Sequence, residues 1–311
     1  MNRSVRQALA LWDLEGAEAR LIAQRENAVW RIDHAGKSYA LRFHRPGYRS
    51  DAELASELDW MAMLARSGLI VPRPVPRSDG GFIGRSEEHR VSLLTWLDGK
   101  PIGEVGRLAA GLNPRALSRA VGEEMARMHD LTDDWTPPQG FVRPDWRAVG
   151  LIGDDPLWGR FWEHPHLTSI QRDMFLRARK AAGRALERMD LDAGLIHADL
   201  LAENVIEHEG RIAFIDFDDA AIGYRDFELA TFLLKFLDRD YYADMRAGLL
   251  EGYSARRRVQ PEHLDLMLLL RALSYPGWIA TRLDEPGGPA RSDRAIQTAL
   301  ALSETYLKGR T

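Results

Sequence analysis

The chain has 311 residues, 45% hydrophobic and 28% charged, enough to bury a sizeable core as one large domain or two lobes. A net charge of −4 gives no electrostatic case for a nucleic-acid partner, and the absence of cysteine excludes disulfides, thiolate metal sites and cysteine nucleophiles together. Basic residues are skewed, five lysines against thirty-seven arginines.

Residues 1–16 read as a short amphipathic helix with Val5, Ala8, Leu9 and Trp12 on one side, not as a signal peptide. Residues 21–97 are strand-rich with one helix. Residues 29–32 and 39–43 are strand-like and joined by a turn through Gly36. Residues 51–64 are helical, with Leu54, Leu58, Met61 and Ala65 in one apolar stripe. Residues 71–76 carry too many prolines for a helix or central strand and read as an extended connector. Residues 91–97 form another apolar strand, ended by the turn Asp98-Gly99-Lys100-Pro101.

Helices dominate the remainder. Residues 115–130 place Leu117, Val121, Met125 and Met128 on one side, and residues 176–189, 227–238, 242–255, 263–274 and 291–308 continue the trend. Residues 284–289 read as a loop. The best apolar run, residues 229–237, is short and carries Lys235, so no membrane partner is expected and the location is read as cytoplasmic. Within this helical half lies a β-ribbon: Gly194-Leu195-Ile196 leads in, and strands at Val205-Ile206 and at residues 212–215 flank a turn around Gly210.

The ribbon carries the chemistry. His197-Ala198-Asp199-Leu200-Leu201-Ala202-Glu203-Asn204 is followed twelve residues later by Asp216-Phe217-Asp218. A carboxylate, a carboxamide and a second carboxylate at this spacing suit phosphoryl transfer. That reaction needs a base to position an acceptor hydroxyl and oxygen ligands to hold Mg²⁺ on a triphosphate. Asn204 falls at the mouth of one strand and Asp216 just past the end of the other, so both can face one ion.

The stretch resembles the HxDxxxxN and Asp-Phe-Gly-like signatures of the protein-kinase-like phosphotransferases. It is most similar to the branch of aminoglycoside phosphotransferases, choline kinases, type II homoserine kinases and stress response kinase A. The resemblance covers nearly the whole chain and implies an α+β, two-lobed protein-kinase-like fold. Residues 1–97 would form a β-rich nucleotide-binding lobe, and residues 98–311 a mainly helical lobe with the catalytic loop, metal and acceptor site. ATP and Mg²⁺ are the implied cofactors, Asp199 the catalytic base, and Asn204 and Asp216 the metal ligands. His197 is expected to pack and brace the loop.

Tyr39-Ala40-Leu41-Arg42 occupies the place of the family's Val-Ala-Ile-Lys strand. Alternation puts Ala40 and Arg42 on one face, and the resemblance sets Ala40 beside adenine and Arg42, in place of lysine, beside the phosphates. Glu53 and Glu57 lie one turn apart in the next helix; Glu57, the deeper, is favoured as partner of Arg42. The glycine-free Gln24-Arg25-Glu26-Asn27 stands where a phosphate-covering loop belongs, and Asn27 either caps the turn or touches phosphate. Leu94-Thr95-Trp96-Leu97 marks the hinge, where the resemblance assigns backbone contacts with adenine at Thr95 and Leu97.

Protein kinases place a lysine two residues after the catalytic aspartate, where this chain has Leu201. Their activation segment runs roughly twenty to thirty residues, against about ten between Asp216 and the helix at Phe227. Both features favour a small-molecule hydroxyl acceptor: an aminoglycoside, homoserine or a choline-like alcohol. Glu228 or Asp226 would brace the catalytic loop, and Asp218 and Asp219 either add negative charge or reach a second metal. Trp146, Trp158, Trp162 and Trp278, near Asp154, Asp155 and Glu163, either anchor helices or form a platform for a cationic acceptor. Two other readings stay open. One is a Ser/Thr protein kinase resembling stress response kinase A, through Arg42-Phe43-His44-Arg45-Pro46; the other is a nucleotide-binding pseudokinase, through Arg42 and the glycine-free loop. Oligomeric state is not encoded in any of these features.

Overall fold

The computed structural model describes residues 3–24 and 27–309. Its chain begins α1 (Arg3–Ala10), β1 (Glu18–Gln24), β2 (Ala28–His34), β3 (Lys37–Phe43), α2 (Asp51–Arg66), β4 (Ile83–Ser86), β5 (His89–Thr95). Three two-residue strands, β6 (Lys100–Pro101), β7 (Gly103–Glu104) and β8 (Arg107–Leu108), precede α3 (Pro114–Asp133), α4 (Ala148–Ile152) and α5 (Ser169–Leu186). Then come β9 (Ala193–Ile196), β10 (Val205–His208), β11 (Arg211–Phe214) and β12 (Ala221–Tyr224). The chain ends with α6 (Arg225–Leu234), α7 (Tyr242–Ser254), α8 (Pro261–Ala280) and α9 (Gly288–Lys308). It divides into two compact units: Met1–Lys100 with Asp134–Arg143 and Ile206–Asp218, and Pro101–Asp133 with Pro144–Val205 and Asp219–Thr311.

The first unit is built on an antiparallel sheet in the order β1-β2-β3-β5-β4. Ala35 and Gly36 join β2 to β3 with φ of 49° and 74°, the two-residue turn whose twist matches the strands it links. One face of the sheet packs Ile32, Leu41, Val91 and Leu93 against Val5, Leu9 and Trp12 from the amino-terminal segment. Ser50 opens α2 through a capping box with Glu53, and Leu54, Leu58, Met61 and Leu64 bury its apolar stripe. The proline-rich connector is extended: Val75 N–H donates to Leu93 O and Thr95 N–H to Arg73 O, both at 2.8 Å, so no proline nitrogen has to donate. β10 and β11 form a hairpin closed by Glu209 and Gly210, with φ of 51° and 75°.

The second unit is helical. α3 and α7 approach closely at glycines; a Cβ on Gly252 would stand 1.9 Å from Arg119 O, and one on Gly248 would stand 2.2 Å from Arg115 O. α6 is buried along its length, and α8 buries residues on every side. β9 and β12 pair antiparallel; β9 runs into the loop of residues 197–204 and β12 into α6.

Several boundaries differ from the sequence reading. The helix expected at residues 176–189 begins at Ser169, where Thr168 and Gln171 make a capping box. The one expected at residues 263–274 runs from Pro261 to Ala280 and passes through Pro276, because packing on all sides outweighs the missing donor. No described helix is long and apolar enough to cross a membrane.

Candidate active site

β9 delivers the chain to His197, and residues 197–204 close with a 3₁₀ turn at Ala202–Asn204. Ala198 adopts φ +66°, an unfavourable left-handed conformation for a residue with a side chain. Glu228, fully buried on α6, holds it there: its carboxylate accepts the backbone N–H of His197 and, at 3.0 Å, that of Ala198. Of the two acids considered for this brace, Asp226 goes elsewhere, 3.2 Å from His263 Nδ1. Burial pushes the Glu228 carboxyl up to about 7, against the opposing pull of the two N–H groups, Arg225 and Arg271. His197 is buried, and its Nδ1 accepts the Asp199 N–H at 3.3 Å.

Asp199 is partly open, its side chain 24% exposed. Its Oδ1 accepts from Arg271 Nη2 at 3.0 Å. The Asn204 Nδ2 donates to Asp199 O at 2.8 Å and to Oδ2 at 3.2 Å. Arg271 escaped the sequence reading. It comes from α8, and its guanidinium lies 4.6 Å from the Trp158 ring centre and 4.7 Å from that of Tyr275. The signal that could have found it is a single charge within the apolar run of residues 266–279, where a solvated cation has no place.

In the first unit, Arg42 is buried on β3 between two carboxylates. Its Nη1 lies 2.6 Å from Glu57 Oε1 and its Nη2 3.3 Å from Asp218 Oδ1. Burial works against the Arg42 charge, but Glu57, Asp218 and Asp216 outweigh it and raise its pKa. Burial would also protonate Glu57; Arg42, Arg143 and His44 reverse this and hold it below its ordinary value. Arg143, also missed, donates to Asp218 O at 2.7 Å and Glu53 O at 3.0 Å. His44 bonds Ser92 Oγ at 2.9 Å, and burial together with Arg42 drives it down to about 3.

The other expected nucleotide contacts are placed as follows. Ala40 is half-buried on β3, opposite Arg31 and Leu94. Thr95 ends β5; its Oγ1 accepts Arg73 N–H at 2.9 Å and its own N–H is committed to Arg73 O, so an adenine contact there would use its carbonyl. Leu97 is half-buried, two residues beyond the strand. Asn27 Oδ1 accepts the Arg45 N–H at 3.1 Å, while Arg25 and Glu26 of the same loop lie outside the described residues.

Asp216 is exposed just past β11 and adopts φ +67°. Phe217 is buried edge-on against Trp60, with ring centres 5.3 Å apart. The tryptophan faces considered as a platform for a cation already carry the chain's own arginines: Arg179 over Trp162 at 4.1 Å and Arg282 over Trp278 at 4.4 Å. Asp154 pairs with Arg179 at 2.8 Å. These contacts remove the specific support for a quaternary-amine platform there.

Among the described residues, no group of three or more His, Asp or Glu could hold a metal as an all-protein cage. Asn204 offers a carboxamide oxygen, its Nδ2 being spent on Asp199, and Asp216 offers a carboxylate. Each is the kind of oxygen donor that suits Mg²⁺, which is commonly held by one or two protein oxygens together with substrate phosphates.

Residues 18–262 match the family model APH, described as a phosphotransferase enzyme family. The homoserine kinase of Chelativorans sp. (strain BNC1) is 32% identical over 267 residues, covering 83% of this chain and 77% of that protein. A microcompartment-associated aminopropanol kinase is similar in structure, with a TM-score of 0.83 at 26% identity, over 98% of this chain and 97% of that one. An amicoumacin kinase in complex with AMP-PNP and Ca²⁺ shares the fold, with a TM-score of 0.79 at 20% identity over 96% of this chain and 92% of that one. The architecture is α+β and protein-kinase-like, as the motifs implied. On the family match and the homoserine kinase relative together, this chain belongs to the APH phosphotransferase enzyme family and is a kinase.

Proposed function

We propose that the protein transfers the γ-phosphoryl group of ATP to the hydroxyl of a short aliphatic alcohol bearing a primary amine, homoserine or an amino alcohol, in the cytoplasm. The observation that carries this reading is the Asp199 carboxylate, engaged at Oδ1 by Arg271 and at Oδ2 by Asn204 in a loop held by Glu228. The acceptor hydroxyl donates to Asp199, which takes its proton as the bond from acceptor oxygen to Pγ forms and the Pγ–O bond to ADP breaks. Arg42, steadied by Glu57, contacts the α/β-phosphates. Ala40, the Thr95 carbonyl and Leu97 border the adenine, and Asn27 clamps its loop through Arg45. Asn204 and Asp216 would hold Mg²⁺, which would neutralise charge on the β- and γ-phosphates.

Three facts support the acceptor class. The 32% identical relative is a homoserine kinase, and the 26% identical structure is an aminopropanol kinase; both names denote a short chain with a hydroxyl and an amine. The chain between Asp216 and α6, which begins at Arg225, is too short for a peptide-docking shelf. The test is ADP release from MgATP with L-homoserine, 1-amino-2-propanol, ethanolamine, choline, an aminoglycoside and casein. Turnover with the first two is expected; phosphorylated casein with no small alcohol consumed would refute the reading. Asp199→Asn should lower kcat by about 10²–10⁴-fold with ATP affinity preserved, and full activity in that variant would remove Asp199 as base.

A further inference from the structure

We infer that Arg271 is the positioning residue of Asp199: a buried guanidinium, fixed by aromatic rings, that holds one carboxylate oxygen and so sets the orientation in which the carboxylate meets the acceptor. The inference rests on reading Asp199 as the base.

Arg271 has no exposed side-chain surface. A buried guanidinium is expensive unless its donors are filled, yet its Nε and Nη1 have no hydrogen-bond partner among the described residues. Its Nη2 serves Asp199 Oδ1 at 3.0 Å and Tyr275 Oη at 3.3 Å. A cation kept for fold stability alone would be expected to have its fork satisfied; this one is aimed at the reactive carboxylate instead.

The surroundings explain how so poorly bonded a charge is retained. Trp158 and Tyr275 lie at 4.6 and 4.7 Å, and Trp146 and Phe227 both at 5.7 Å. Their faces attract the cation and wall in its plane, so Nη2 cannot swing away from Asp199. The two Asp199 oxygens are consequently unequal. Oδ1 faces a guanidinium cation at 3.0 Å, whereas Oδ2 accepts a longer amide bond of 3.2 Å from Asn204. Leu201, two residues after Asp199, brings no charge to the loop; α8 supplies it from 72 residues further along the chain. A cation already in place beside the site of reaction needs no reorganisation as charge redistributes.

The test compares kcat and KM in Arg271→Met, Asp199→Asn and the double variant, with whichever of L-homoserine and 1-amino-2-propanol is turned over. Arg271→Met is expected to lose about 10²-fold in kcat, the scale of a slight misplacement of a reacting group, with the KM for ATP retained. The double variant should be no slower than Asp199→Asn alone, because Arg271 acts through Asp199. Arg271→Lys should recover part of the rate, and methylguanidine should partly restore Arg271→Ala but not Asp199→Asn. If Arg271→Met does not give a cooperative thermal transition, Arg271→Gln takes its place in the cycle. Wild-type kcat in the folded neutral variant, or losses that multiply in the double variant, overturn the inference while leaving Asp199 as base. Full activity in Asp199→Asn overturns the base assignment itself.

Discussion

Arg42 shows how much a single residue could be read in advance. Its face on β3 follows from strand alternation, and the family resemblance pairs it with a glutamate of the next helix, of which Glu57 is the deeper. Asp218 and Arg143 were not tied to Arg42, because they reach its neighbourhood from 176 residues on and from another connection altogether. The energetics now favour a specific outcome. Glu57 has no exposed surface, and its Oε2 lacks a hydrogen-bond partner among the described residues. Arg42→Met should therefore destabilise the protein by about 3–5 kcal/mol, the penalty for stranding a buried carboxylate. Arg42→Lys keeps the charge and should lose much less. Urea unfolding of both variants checks this, and an unchanged midpoint in Arg42→Met would mean Glu57 does not depend on the pair.

At the level of elements, both signature motifs contain a non-glycine residue in the left-handed region: Ala198 in the catalytic loop and Asp216 after β11. Each such residue costs on the order of 1 kcal/mol or more and persists only where its surroundings enforce it. Glu228 supplies that enforcement at Ala198. Asp216→Gly should relieve the strain at the second motif, a gain of up to about 1 kcal/mol that is set against the lost attraction of its carboxylate for Arg42, so the fold should be retained. Its kcat should nevertheless collapse, because the proposed metal ligand is gone. A variant both stable and fully active would show that the carboxylate is dispensable. The helices and the ribbon were legible because apolar period and turn residues are local signals. α5 starts at Ser169, where the Thr168–Gln171 capping box fixes its first turn, and α8 runs on through Pro276 because tertiary packing overrides a local breaker.

For the whole molecule, the buried titratable groups set the pH dependence of stability. Burial drives His44 down to about 3 and His129 well below its ordinary value, so between those values and about 6.5 the unfolded chain binds protons the folded one refuses. Stability from these two groups is lost as pH falls below about 6.5, and Glu57, held low by its cations, loses stability in the same direction at lower pH. Glu228 has the opposite sign: with a folded pKa of about 7 against 4.5, its contribution is complete below 4.5 and lost as pH rises toward 7. Two histidines outweigh one glutamate, so the melting temperature should fall from pH 6.5 to 5, and fall more steeply in Glu228→Gln. A flat wild-type profile over that interval would contradict the assignment. The sequence by itself determined the family, the phosphoryl-transfer chemistry and the identity of most elements, because motif spacing and hydrophobic period are properties of neighbouring residues. Only the tertiary structure decided that Arg271 meets Asp199, that Glu228 and not Asp226 braces the loop, and that Asp218 shares Arg42 with Glu57. Those contacts join residues far apart in the chain, and packing, which leaves no periodic trace, is what selects them.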